Sequence, residues 1–340
     1  MLIPTTDTST ILLLILSLVC LGSWANTFKL AGKRWSYELF YVDFAIGAIV
    51  LAAIFAYTLG ISGDLPFADR MLVAGRTAQA WVVLAGFIFN FGNILLLASV
   101  SLAGMAVAFP MTAATALIVV CGFHIRTGNL LLLICGAILM FLAILFDARA
   151  CQRRLASRDK PVSRAAKGNE PIRRWARGIV TGVFGGIALG LFYPVAQNGM
   201  DPEFGVGPYA GILLFCIGMF CSTILFHFLF LNMDIGGTRV RFGDYFRGKR
   251  SKHLLGILGG AVFAVGALAV MLVSAAPGDT GINTALVFVL PLTSVLLAVV
   301  WGIIAWKEFS AAIKGAKPAL TGAVVLFACG LIAIGYGLAR

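Results

Sequence analysis

A few residues of this chain have types and spacings that could do chemistry. Asp43 is an acid inside an apolar run, about 10 Å from its start at roughly 1.5 Å per helical residue. An acid there suits the loading and release of a proton; the alternative is an ion pair with Lys29, Lys33 or Arg34. Asn90 and Asn93 share a helix face at a three-residue spacing, where amides either bind a polar uncharged solute or bridge helices. Trp24 and Asn26 in one run, with Tyr193, Gln197 and Asn198 in another, add aromatic and amide groups at related positions. Together these describe a site for a small, flat or hydroxylated polar molecule. His227, in a later run, would contact solute or relay protons, or else stay a neutral core imidazole.

The same inventory speaks against catalysis. His124, His227 and His253 are scattered, and the chain has no HExxH, no GxSxG and no paired intramembrane aspartates. Seven cysteines without CxxC spacing fit neither a disulfide framework nor a metal site, so they read as packing residues. The expectation is a protein that is not an enzyme and carries no cofactor.

The elements that must position these residues follow from composition. The chain has 340 residues, 60% of them hydrophobic and 12% charged, with a mean hydropathy of +0.98. That is the composition of an integral membrane protein. A bilayer core needs about 20 apolar residues per helical span. Ten runs qualify: 9–30, 37–60, 78–101, 104–123, 129–146, 178–200, 208–232, 254–274, 282–305 and 319–338. Strand-like alternation is missing, which excludes a transmembrane barrel. No basic residue precedes the first run and no small-residue cleavage pattern follows it, so it reads as a retained helix.

Residues 149–177, RACQRRLASRDKPVSRAAKGNEPIRRWAR, carry ten Lys/Arg against two acids and separate a first half, 1–148, from a second, 178–340. Assigning this basic loop and the alternate connections to the cytosol places 22 Lys/Arg there and leaves only Arg70, Arg76, Arg126 and Arg340 outside. Both termini are then on the outer side, in the plasma (inner) membrane of a multi-pass protein. The net charge of +12 is accounted for by topology and anionic lipid, with no nucleic acid required.

Five spans per half is an odd number, so homologous halves would insert with opposite orientation. Phe109-Pro110-Met111-Thr112 followed by Gly122 matches Leu290-Pro291-Leu292-Thr293 followed by Gly302. The expectation is an all-α, ten-helix inverted 5+5 repeat. Pro110 and Pro291 each remove a backbone hydrogen bond, giving either a packing kink or the broken helix of a transporter site.

Val300-Trp301-Gly302, Trp306-Lys307-Glu308 and then Gly322, Gly330 and Gly335 resemble the end of a drug/metabolite transporter superfamily domain. Gly22 and Trp24, Tyr41-Val42-Asp43, Gly92-Asn93 and Leu290-Pro291-Leu292 are similar to its ureide permease branch, with the bacterial sugar-uptake branch as close neighbour. The resemblance implies ten helices in an inverted repeat and uptake of ureides, nucleobases or sugars driven by protons. One departure is notable: plant members carry a nucleotide-binding-like motif in the central loop, whereas this loop offers only Lys167-Gly168. ATP coupling is therefore not expected.

The reading is a secondary transporter importing a small polar metabolite with protons, with export of metabolites or drugs on the same fold as the alternative. Its partners are the solute, protons and the lipid bilayer, and a homodimer stays open as the assembly. Glu308 is expected to be structural, paired locally with Lys307 or Lys314.

Overall fold

Long apolar runs in a chain that must satisfy its own backbone become helices. The computed structural model describes residues 3–4, 6–32, 35–61, 66–158, 170–200, 205–232, 243–275, 289, 291–310 and 315–338, and their side chains except at 155–158, 170–172 and 227–232. Its helices are α1 (Asp7–Ser23), α2 (Ala25–Ala31), α3 (Tyr37–Thr58), α4 (Phe67–Val73), α5 (Gly75–Ala103), α6 (Met105–Phe123) and α7 (Leu130–Arg158). They continue with α8 (Glu170–Gln197), α9 (Pro208–Asn232), α10 (Gly243–Phe246), α11 (Arg250–Ser274), α12 (Ser294–Val300) and α13 (Ala316–Leu338). Among the described residues there is no strand, and nine helical segments are long and apolar enough to cross a membrane. The protein is a helical, multi-pass membrane protein. Of the expected run 282–305, residues 282–288 and 290 lie outside the described residues; 294–305 is helical and ends in a π turn, Trp301–Ala305.

The helices show why an apolar chain needs its few polar residues. Helix α7 exposes Leu131, Ile134, Ile138, Phe141 and Leu145, while Leu133, Met140, Ala143, Asp147, Ala150, Cys151 and Arg154 are buried on its other face. The exposed stripe suits lipid, and the buried one carries the small and polar groups that hold neighbours. Helix α7 also runs on to Arg158 and α8 starts at Glu170, so the basic stretch 149–177 begins and ends in helix.

Two compact units are present. The first gathers the described residues of Met1–Phe91, Leu191–Asp234 and Arg239–Ser294; the second is built from Gly92–Gly190 and Val295–Arg340. Each draws on both sides of the basic stretch, and the boundaries fall inside α5 and α8. In the first unit, α11 packs on α1, α2 and α3, and α9 packs on α3. Glycines permit this closeness: a Cβ on Gly256 would sit 2.4 Å from that of Asp43, and one on Gly260 would sit 1.9 Å from the Phe44 carbonyl oxygen. The four-residue spacing of Gly256 and Gly260 gives α11 a small-residue face on which α3 lies. In the second unit, α7 packs on α6 and α13.

Helix α6 runs unbroken through the buried Pro110. The interruption comes earlier, at Gly104, whose φ of 95° separates α5 from α6. Near Pro291 the chain does turn, at Thr293, before α12 begins.

Candidate functional site

Trp24 stands where α1 steps into α2, and its carbonyl accepts the Thr27 hydroxyl at 2.7 Å. Its ring lies 4.8 Å from that of Phe44 and 6.4 Å from that of Phe263. From Phe263 the aromatic contacts continue to Phe89 at 5.4 Å, and from Phe89 to Phe192 and Phe215, each at 5.2 Å. These rings come from the α1–α2 step and from α3, α5, α8, α9 and α11 of the first unit. Tilted and edge-on pairs of this kind stabilise the cluster beyond area burial.

Asn90 follows Phe89 and is fully buried. Its Nδ2 donates to Ser222 Oγ at 2.7 Å and Thr223 Oγ1 at 3.1 Å on α9. Both hydroxyls donate onward to the Met219 carbonyl, at 2.9 and 2.8 Å. Their protons are committed, so the amide must turn its NH₂ towards them. That leaves Asn90 Oδ1 as a buried acceptor without a partner. A buried acceptor left unpaired costs about 1–3 kcal/mol, which a solute N–H or O–H would remove.

The remaining sequence candidates separate. Tyr193 is buried, and its hydroxyl accepts from Gln197 Nε2 at 2.8 Å one turn on; Gln197 and Asn198 are exposed. Asn26 Nδ2 donates to the Ser23 carbonyl at 3.0 Å. Asn93 is buried but belongs to the second unit, as does Pro110. The side chain of His227 lies outside the described residues.

Asp43 is 2% exposed and fully engaged. Tyr245 Oη donates to its Oδ1 at 2.6 Å, and His253 Nδ1 lies 2.9 Å from Oδ2 and 3.1 Å from Oδ1. The imidazole is flanked by Tyr245 at 4.7 Å and Trp35 at 5.0 Å between ring centroids, both edge-on. Burial, reinforced by the Asp43 carboxylate, pushes the Tyr245 phenol well above its ordinary value, so it stays a donor. Asp43 is thus paired with groups far along the chain; Lys33 and Arg34, two of the basic residues expected as alternative partners, lie outside the described residues.

A second polar constellation occupies the second unit, and the sequence did not announce it. Glu308 is buried and accepts the N–H of Met105 through Oε1 at 2.9 Å and that of Ala106 through Oε2 at 3.0 Å. A carboxylate bridging the first N–H groups of α6 is a charge-assisted cap that also answers the helix dipole. Arg154 Nη1 stands 3.7 Å from Glu308 Oε2, while Nη2 donates to the Ala103 carbonyl at the end of α5. One cation and one anion therefore bind the two helix ends that meet at Gly104. A Cβ on Gly104 would sit 2.6 Å from Glu308 Oε2, so the glycine supplies both the positive φ and the room. Glu308 reaches across the fold here, beyond the local pairing expected for it.

No family model and no curated protein matches the sequence. A solved crystal structure of a protein whose description goes no further is similar, with a TM-score of 0.55 at 15% identity, covering 98% of this chain and 99% of that one. The likeness extends over nearly the full chain and is one of fold.

His253, Arg154 and Asp147 were the residues missed. The first two sit in basic segments that read as solvated connections. The third lies one residue beyond the run cut at Phe146, in a helix that does not stop there.

Proposed function

We propose that this protein is a secondary transporter that imports a small polar metabolite, a ureide, nucleobase or sugar, together with protons and by alternating access. The observation that carries this reading is the uncommitted amide oxygen of Asn90, adjacent in sequence to Phe89 of the aromatic cluster, in a multi-pass helical protein. Aromatic side chains suit a flat or ring-shaped solute, and a lone buried acceptor selects one with an N–H or O–H to give. Asp43, with His253 and Tyr245, is the proposed coupling group, since an acid and an imidazole in contact offer a proton two places to reside. The ten-span inverted repeat, cytosolic basic loops, plasma (inner) membrane placement and kinship with the ureide permease-like branch belong to the same reading. Catalysis and ATP have no part in it.

Export of cationic metabolites or drugs is the second reading, favoured by a buried acid whose neighbour Phe44 belongs to the aromatic cluster. A thermal-shift screen of purified protein separates the two. The panel is allantoin, uracil, xanthine, hexoses, pentoses and quaternary ammonium ions. A ligand of the folded state at 100 times its Kd stabilises by about 2.7 kcal/mol. A shift with ureides, nucleobases or sugars that is lost in Asn90→Leu supports import, a shift with cations alone supports export, and no shift contradicts the site.

A further inference from the structure

Asp147 on α7 has no exposed surface, and neither carboxyl oxygen has a hydrogen-bond partner. It is the one acid of the described residues left in that condition, and it lies on the same buried α7 face as Cys151 and Arg154. Asp147, Cys151 and Arg154 follow one another at four- and three-residue spacings along that face, and Arg154 in turn reaches Glu308. The Arg154 guanidinium shares this face with Asp147, and among its contacts are Glu308 and the Ala103 carbonyl. With both acids ionised the cluster carries one excess negative charge among buried side chains, an arrangement proteins avoid by neutralising one member.

We propose that Asp147 is a proton-binding site, loaded in this conformation, whose occupancy is set against the Arg154–Glu308 clamp on the α5–α6 joint. The remaining surroundings favour a proton over a metal ion. Against Ala150 and Cys151 are packed Val299, Phe309, Ala319 and Leu320, none of which offers a side-chain oxygen, and no cluster of metal-ligating side chains exists among the described residues. On the elements packed against α7, the titratable groups besides Glu308 are few. Helix α6 has Cys121 near its far end, and Lys317, Cys329 and Tyr336 on α13 are exposed. Helix α8 brings Arg173, Arg174, Arg177 and the Trp175 indole, whose N–H is itself buried without a partner. Arg173 and Arg174 are exposed, and Arg174 reaches the Ser101 carbonyl at 3.4 Å. When Asp147 gives its proton to water, its carboxylate competes with Glu308 for Arg154, and the grip on the α6 N-terminus loosens. Side chains on a helix lean towards its N-terminus, so Arg154 already extends in the direction of Asp147, two turns earlier.

This inference names where a proton sits within the proton-coupled reading above, and its test requires no transport. Infrared spectra of the full-length protein in D₂O at neutral pH, unlabelled and with ¹³C-aspartate, would show a protonated-carboxyl band that shifts with the label and disappears in Asp147→Asn. Asp43→Asn retains that band. Glu308→Gln, which removes the competing carboxylate from Arg154, loses most of it at the same pH. Because the wild-type spectrum stands alone, a variant that fails to fold does not blunt the test. Absence of the labelled band from wild type, or its persistence in Asp147→Asn, overturns the proposal.

Discussion

The two buried aspartates of this protein have opposite surroundings. Asp43 receives a phenol and an imidazole and has both oxygens occupied, whereas Asp147 receives nothing. Their burial is nearly the same, 2% and 0% exposed. What differs is the element opposite each. Against Asp43 lies the start of α11, which carries His253, with Tyr245 of α10 alongside; on the α7 face of Asp147, Ala150 and Cys151 sit in an apolar cluster, and the cation of that face, Arg154, is engaged by Glu308. Burial alone therefore does not define an acid's role. The partner set differs, and on the proposals made above Asp43 shares a proton whereas Asp147 stores one.

That contrast can be broken from several directions. The largest effect is expected from Arg154→Met, which removes the guanidinium that Glu308 contacts and leaves buried charge uncompensated. A loss of about 3–5 kcal/mol is expected, read as a fall in Tm of the detergent-solubilised protein. Next comes Gly104→Ala, which imposes a side chain at φ 95° and drives a Cβ against Glu308; a loss of about 1–3 kcal/mol follows, and Glu308→Ala should relieve the steric share of it. Gly260→Ala is expected to weaken the packing of α3 on α11 and to loosen the Asp43–His253 contact with it, since no room exists beside the Phe44 carbonyl.

Tyr245→Phe is the mildest change, removing one hydrogen bond to Asp43 for about 0.5–1.5 kcal/mol. It sharpens the comparison through pH. The phenol's value is raised in the folded protein, so the stability linked to it is complete below its unfolded value near 10 and is lost as pH climbs beyond that towards the folded value. Wild type should lose stability in that alkaline window more steeply than Tyr245→Phe does; equal slopes in thermal melts between pH 9 and 11 would remove the Tyr245–Asp43 bond from the account.

Much of the helical architecture was legible because lipid imposes its own grammar: the apolar runs, and the scarcity of polar residues inside them, are visible in any window of the sequence. Asp43 and Asn90 stood out for that reason. Their partners did not. His253 lies among Arg250 and Lys252 at the start of α11, where charge density masks a residue that folds inward. Asp147 and Arg154 were lost because hydropathy ends a span where charges begin, whereas α7 continues to Arg158 and keeps one face buried throughout. The distance between Arg154 and Glu308 along the chain hides their meeting from any local pattern. Pro110 drew attention away from the joint, since α6 runs on through it and the joint is made at Gly104 by backbone conformation and a capping carboxylate.

The central claim is that solute and proton move together, with Asp43 as the group that joins them. The direct measurement is uptake into proteoliposomes, under an imposed inward proton gradient, of whichever solute stabilises the purified protein. Wild type is expected to concentrate the solute above its external level, and Asp43→Asn to equilibrate it without accumulation while still exchanging solute for solute. Accumulation by Asp43→Asn with unchanged pH dependence, or no flux through wild type at all, would contradict the account.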